Sequence, residues 1–165
     1  MQHEDQPEAI GYLLQHVAST LQRQSDQVLQ ERLGIGMSQY RILTTLQASP
    51  NTSQRQMADS LGQTEASISR QVKLLQERGM LQLQVDPSEK RKHITHPTPK
   101  GLKITEAARE ILNQYNMPML DGLSSKEQTQ LAAMLARLHE YTCAPGRPMA
   151  CDRPFTIESI YDSQK

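Results

Sequence analysis

The chain has 165 residues, in which 18 Lys and Arg balance 18 Asp and Glu, and 36% of the residues are hydrophobic; this makes one domain, or one domain with an arm, around a modest core. No apolar run approaches the ~20 residues of a membrane span. The start, Met-Gln-His-Glu-Asp, is acidic and polar where a secretion signal is basic and then apolar, so residence in the cytoplasm and no membrane partner are expected. The five histidines are scattered, and there is no glycine-rich phosphate loop, nucleophile elbow or His-Glu-x-x-His, so neither an enzyme nor a cofactor is expected.

In chain order, Ile10, Leu14, Val17, Leu21 and Val28 recur at helical spacing through Leu33, which predicts a long N-terminal helix with more apolar surface than a small core can cover. A second helix is expected from Ser38, read as its N-cap, to Leu46, with Ile42, Leu43 and Leu46 inward. Ser53 opens a third helix as a capping box with Gln56, and Gly62 breaks it after Leu61. A fourth starts with Thr64 as N-cap, carries Ile68, Val72 and Leu75 along one inward stripe, and ends at Gly79, suited to a left-handed C′ position. Leu81-Gln-Leu-Gln-Val85 alternates as a half-buried strand does, and Ile94 lies in a second short strand ending near Thr98. Between them Asp86 and Pro87 supply turn chemistry, followed by three cations, Lys90, Arg91 and Lys92. A long helix starts at Thr98. Ser124 and Glu127 form a further capping box, ahead of a stripe of Leu131, Met134, Leu135 and Leu138.

Two short helices, a strand, a basic hairpin and a returning strand read as a winged helix-turn-helix. The fold class is therefore mainly α with a small β-hairpin wing, flanked by N- and C-terminal helices, and double-stranded DNA is the first candidate partner. About 14 residues at ~1.5 Å each give a fourth helix roughly 21 Å long, which fits a major groove ~12 Å wide. Its polar face suits base readout: Ser67 and Ser69 donate or accept, Gln71 offers an amide, and Arg70 forks onto guanine or phosphate. Ser53, Thr64 and Lys73 are assigned to phosphates. The wing's Arg91, with Lys90 and Lys92, suits the narrow minor groove of A·T-rich DNA. From Thr64 to Lys103 there are eight cations (Arg70, Lys73, Arg78, Lys90, Arg91, Lys92, Lys100, Lys103) against four anions (Glu65, Glu77, Asp86, Glu89). The rest of the chain is correspondingly acidic, which concentrates the attraction for nucleic acid on one part of the molecule.

The run Thr64-Glu-Ala-Ser-Ile-Ser-Arg-Gln-Val-Lys-Leu-Leu-Gln-Glu-Arg-Gly79, the wing beginning Asp86-Pro87 and the exit Thr98-Pro-Lys-Gly101 together resemble the MarR family of winged-helix transcription regulators, over roughly residues 10 to 142. By that resemblance Arg91 is the minor-groove residue and Glu89 its acidic wing partner. Lys90 stands where the family usually has Arg, which removes a planar bidentate donor from the wing. The resemblance also implies that the terminal helices interdigitate between two subunits; packing within one subunit is the alternative. A homodimer would hold two recognition helices about one DNA turn, ~34 Å, apart over a palindromic operator. A crevice for a small-molecule effector between the lobe and the dimer helices would be lined by Tyr12, His16, Met37 and Tyr40.

The expected organisation is a flexible segment over 1–8, a MarR-like domain over 9–142 and a tail over 143–165. The domain divides into a winged helix at about 37–98 and dimerisation helices at about 9–33 and 99–142. The tail's Pro- and Gly-containing stretch is bracketed by the chain's two cysteines, Cys143 and Cys151. They are read either as a thiol switch or as incidental, and neither is flanked by a cation close enough to guarantee a reactive thiolate. His93 and His96 lie three apart on a strand, hence on opposite faces, and no metal is expected there. The expected function is sequence-specific DNA binding by a repressor relieved by a small ligand or oxidation. The alternative is a dimeric winged-helix module that binds a protein partner and no DNA.

Overall fold

A computed structural model of the chain describes residues 6–85 and 93–144. Among these the elements run α1 (Gln6–Leu33), α2 (Met37–Ala48), α3 (Gln54–Leu61), α4 (Glu65–Glu77), β1 (Leu81–Val85), β2 (His93–Pro97), α5 (Pro99–Asn116), a 3-10 turn (Met117–Leu120) and α6 (Ser125–Thr142). The strands pair antiparallel with Leu81 opposite Pro97 and Val85 opposite His93. This is the mainly α fold with a small hairpin that the sequence predicts.

Most boundaries are set by local capping. The Gln56 N–H donates to Ser53 Oγ at 3.2 Å while the Ser53 N–H donates to the Gln56 side chain at 2.8 Å. Ser124 and Glu127 repeat this reciprocal pair at α6, and at Thr64 and Thr98 a single side-chain oxygen accepts from the third residue of the helix. Each such cap satisfies amides that a helix start otherwise leaves unpaired. Gly34, Gly62 and Gly79 take φ of 66°, 62° and 68°, left-handed values that close α1, α3 and α4 at low steric cost.

Two boundaries differ from expectation. The helix α1 begins at Gln6, ahead of the expected start at 9, so part of the 1–8 segment is helical. Ser38 is not the N-cap of α2; Gly36 holds that position and Ser38 lies inside the helix. The reason is tertiary: Asp26 Oδ1, on α1, accepts from the Met37 N–H at 2.7 Å, and Gln39 Oε1 accepts from the Gly36 N–H at 3.2 Å. A Cβ on Gly36 would lie 2.9 Å from that aspartate oxygen, so a larger residue there would push the Asp26 side chain aside.

The core lies within the lobe. Leu29, Ile35, Ile42, Leu43, Leu46, Met57, Ile68 and Leu75 are fully buried, and Ala108 and Leu112 bring α5 against them. At the entry to α5 the backbone runs very close: Thr98 Oγ1 donates to the Gly79 carbonyl at 2.7 Å, and a Cβ on Gly101 would collide with the Met80 carbonyl. Outside the lobe the pattern reverses. Ile10, Leu14 and Val17 on α1 are exposed, and none of the residues of α6 is buried.

Candidate nucleic-acid interface

The helix α4 divides sharply into two faces. Ile68, Val72 and Leu75 are buried, while Ser69, Arg70 and Lys73 are exposed and Ser67 and Gln71 half-buried. Its 13 residues make a rod of about 20 Å. Burial of one face orients the other, so the five polar side chains singled out for base or phosphate contact do share the outward part of one rigid element. Thr64 and Ser53 lie at the starts of α4 and α3, where unpaired amides and the helix dipole favour an anion. Their oxygens accept within the caps, which leaves each hydroxyl proton available to a phosphate oxygen.

Two of this region's cations also hold the lobe together. Arg78 Nη1 donates to the Gly34 carbonyl at 2.7 Å, and Lys100 Nζ to the Arg78 carbonyl at 2.8 Å. Both cations thereby satisfy helix-end carbonyls and tie α1, α4 and α5 together. Lys73 lies 4.0 Å from Glu77 across one helical turn, with its side chain 77% exposed, a solvated pairing that a phosphate readily replaces. Lys90, Arg91 and Lys92, with Glu89, lie outside the described residues, between Val85 and His93 in the sequence.

Gln63 has no part in the sequence reading, yet it joins two helices. Its side-chain oxygen accepts from Ser38 Oγ of α2 at 3.0 Å and from Ser67 Oγ of α4 at 3.3 Å. The Gln63 N–H donates to the Ala58 carbonyl at 2.9 Å, closing α3 just beyond Gly62. The local signal was the single residue between a terminating glycine and a capping threonine. Its reach to Ser38, 25 positions away, had none.

Tyr12, His16, Met37 and Tyr40 are the residues expected to line an effector crevice. A cleft of about 600 Å³ opens between α1 and α2, bordered by Arg23, Asp26, Met37, Ser38, Arg41 and Gln63, and of the four only Met37 borders it. Tyr12 and His16 stack on the exposed part of α1, ring centroids 5.8 Å apart. Tyr40 packs against the core, and burial raises its hydroxyl pKa, with nearby Arg109 opposing the rise and Glu106 adding to it. Cys143 caps the end of α6, its N–H donating to the His139 carbonyl at 2.8 Å; Cys151 lies outside the described residues. Among the described residues no cluster of His, Cys, Asp and Glu is arranged to hold a metal, and no helix is long and apolar enough to cross a membrane.

Residues 33–92 match the model of the MarR family. A protein described as a transcriptional regulatory protein for the hcr operon of Thauera aromatica is 23% identical over 130 residues, spanning 79% of this chain and 78% of the relative. The crystal structure of a MarR/EmrR family transcriptional regulator from Acinetobacter sp. ADP1 superposes with a TM-score of 0.68 at 25% identity, covering 82% of this chain and 96% of that one. A crystal structure of the S. aureus MepR–DNA complex superposes at 0.65 with 22% identity, covering 79% and 96%.

Proposed function

We propose that the chain is a winged helix-turn-helix transcriptional regulator of the MarR type, whose family model residues 33–92 match, and that it binds a palindromic DNA operator as a homodimer and acts as a repressor. A small ligand or oxidation then lowers its affinity for DNA. The observation that carries this reading is the two-faced α4: a buried stripe holds the helix on the lobe, and Ser67, Ser69, Arg70, Gln71 and Lys73 line its outward part. Ser67, Ser69, Arg70 and Gln71 take the major groove, with Arg70 forked onto guanine or phosphate. Ser53, Thr64 and Lys73 hold phosphates that fix the register, and Arg91, flanked by Lys90 and Lys92, enters the minor groove.

The homodimer is supported by the uncovered apolar face of α1 and α6, where Leu131, Met134, Leu135 and Leu138 are 37–54% exposed. Two copies meeting there bring two recognition helices to successive major grooves. The α1–α2 cleft gives an effector room beside Ser38 and Gln63, which are bonded to each other and, through Gln63, to the recognition helix.

The test is DNA binding by the purified chain, using fragments selected from a random-sequence pool, titrated against salt. Several phosphate contacts per dimer produce a steep fall in affinity with rising salt; a chain that binds no DNA even at low salt is instead a protein-interaction module. Arg91→Ala is expected to weaken binding and flatten the preference for A·T at the flanks of the site. Unaltered affinity and footprint in that variant would remove Arg91 from the interface.

A further inference from the structure

We infer that Gln63 is a specificity-determining residue: by taking the Ser67 hydroxyl proton it leaves Ser67 able only to accept, so that Ser67 selects a base that presents an amino group. The inference rests on the reading that α4 enters the major groove with Ser67 at base edges.

The geometry leaves Gln63 little freedom. It is the single residue between Gly62, at φ +62°, and the cap Thr64, and its own N–H is bonded to Ala58. From that fixed backbone the side chain meets α2, where Ser38 Oγ donates to Oε1 at 3.0 Å, and α4, where Ser67 Oγ donates to the same oxygen at 3.3 Å. An amide oxygen has two lone pairs, and two hydroxyl protons fill them. Ser38 thus holds the amide with its oxygen toward α4.

Ser67 is constrained in turn. Its backbone N–H is spent on Thr64 Oγ1 at 3.2 Å, and its only hydroxyl proton on Gln63, so lone pairs are what it turns to a ligand. In the major groove the adenine N6 and cytosine N4 amino groups are donors, whereas guanine N7 and O6 and thymine O4 accept. An acceptor-only serine bonds the first pair and sets oxygen against oxygen or nitrogen in the second. Ser69, two positions on, is exposed and not held by Gln63, so it carries no such bias.

The experiment compares the full-length wild type with Ser67→Ala, Gln63→Met and Gln63→Glu, sequencing the fragments each retains from a random DNA pool in competition. Wild type is expected to favour A or C over G or T roughly five- to tenfold at one position per half-site. Ser67→Ala should abolish that preference alone. Gln63→Met, close in size but without an acceptor, should abolish it too, and Gln63→Glu, which offers oxygen on both atoms, should keep it. A merely structural role for Gln63 would lower affinity evenly across positions. Retention of the preference in Gln63→Met overturns the inference while leaving Ser67 as a base contact, as does its loss in Gln63→Glu. If Ser67→Ala changes no position, the groove reading for Ser67 falls and the inference with it. Thermal melts confirm that each variant is folded, and Gln63→Glu keeps the comparison decisive should Gln63→Met melt early.

Discussion

The winged lobe and the terminal helices are built from stripes of the same kind, with opposite outcomes. In α4 the stripe of Ile68, Val72 and Leu75 is buried to 3% exposure or less, whereas in α6 the stripe of Leu131, Met134, Leu135 and Leu138 is at least 37% exposed. The helix α1 shows both outcomes along its length, with Leu29 fully buried and Ile10 55% exposed. Apolar spacing therefore specifies a helix and its sticky side, but not what meets that side. The lobe supplies its own partner surface; among the described residues nothing buries the stripe of α6.

Breaking the outer stripe should produce the largest effect. Leu131→Glu with Leu138→Glu is expected to yield monomers in analytical ultracentrifugation and to cost about a hundredfold or more in DNA affinity, since two linked half-site contacts become independent. The lobe's melting transition should persist, because α6 buries nothing against it. Dimers that survive both charges would return α6 to packing within one subunit.

Inside the lobe the same kind of change acts on stability. Ile68→Ala leaves a cavity beneath the recognition helix and is expected to cost about 2–5 kcal/mol in denaturant melts. Thr64→Ala removes a cap and should cost about 1 kcal/mol, with α4 fraying first in hydrogen exchange. A cost for Ile68→Ala no larger than for the cap would mean that the lobe is less tightly packed than its burial indicates.

The smallest expected effect sharpens the picture of α6. The Ser124 hydroxyl, and then its backbone N–H, hold the Glu127 carboxyl below the usual carboxylate range. A depressed folded value means that this cap contributes above the unfolded pKa and is lost as pH falls through the folded one. In an NMR titration Ser124→Ala should move the Glu127 midpoint up toward its ordinary value, with the first-turn amides of α6 following the same curve. An unmoved midpoint would assign the shift to something other than the cap.

What was legible in the sequence is what is settled within a few residues. The boxes at Ser53 and Ser124, the glycine closing each short helix and the stripe of α4 all depend on neighbours three or four positions apart, and each stands as read. Three features depended on distant partners and were not legible: the capping of α2 by Asp26, the recruitment of Arg78 and Lys100 to helix-end carbonyls, and the bridge from Gln63 to Ser38. Each is a polar contact with no periodicity to betray it.

Gly101 has a mechanical consequence. Because its missing side chain lets α5 ride directly on the Met80 carbonyl, Gly101 sets how closely the start of α5 approaches the lobe, while Ala108 and Leu112 hold the helix further along. That helix leads from the lobe to α6, and a small rotation at its root would be multiplied along its 18 residues. In the proposed dimer joined through α6, Gly101 would lie at the root of each of the two arms. A methyl group there would change the distance the two arms span on the DNA before it changed anything in the surfaces that touch it.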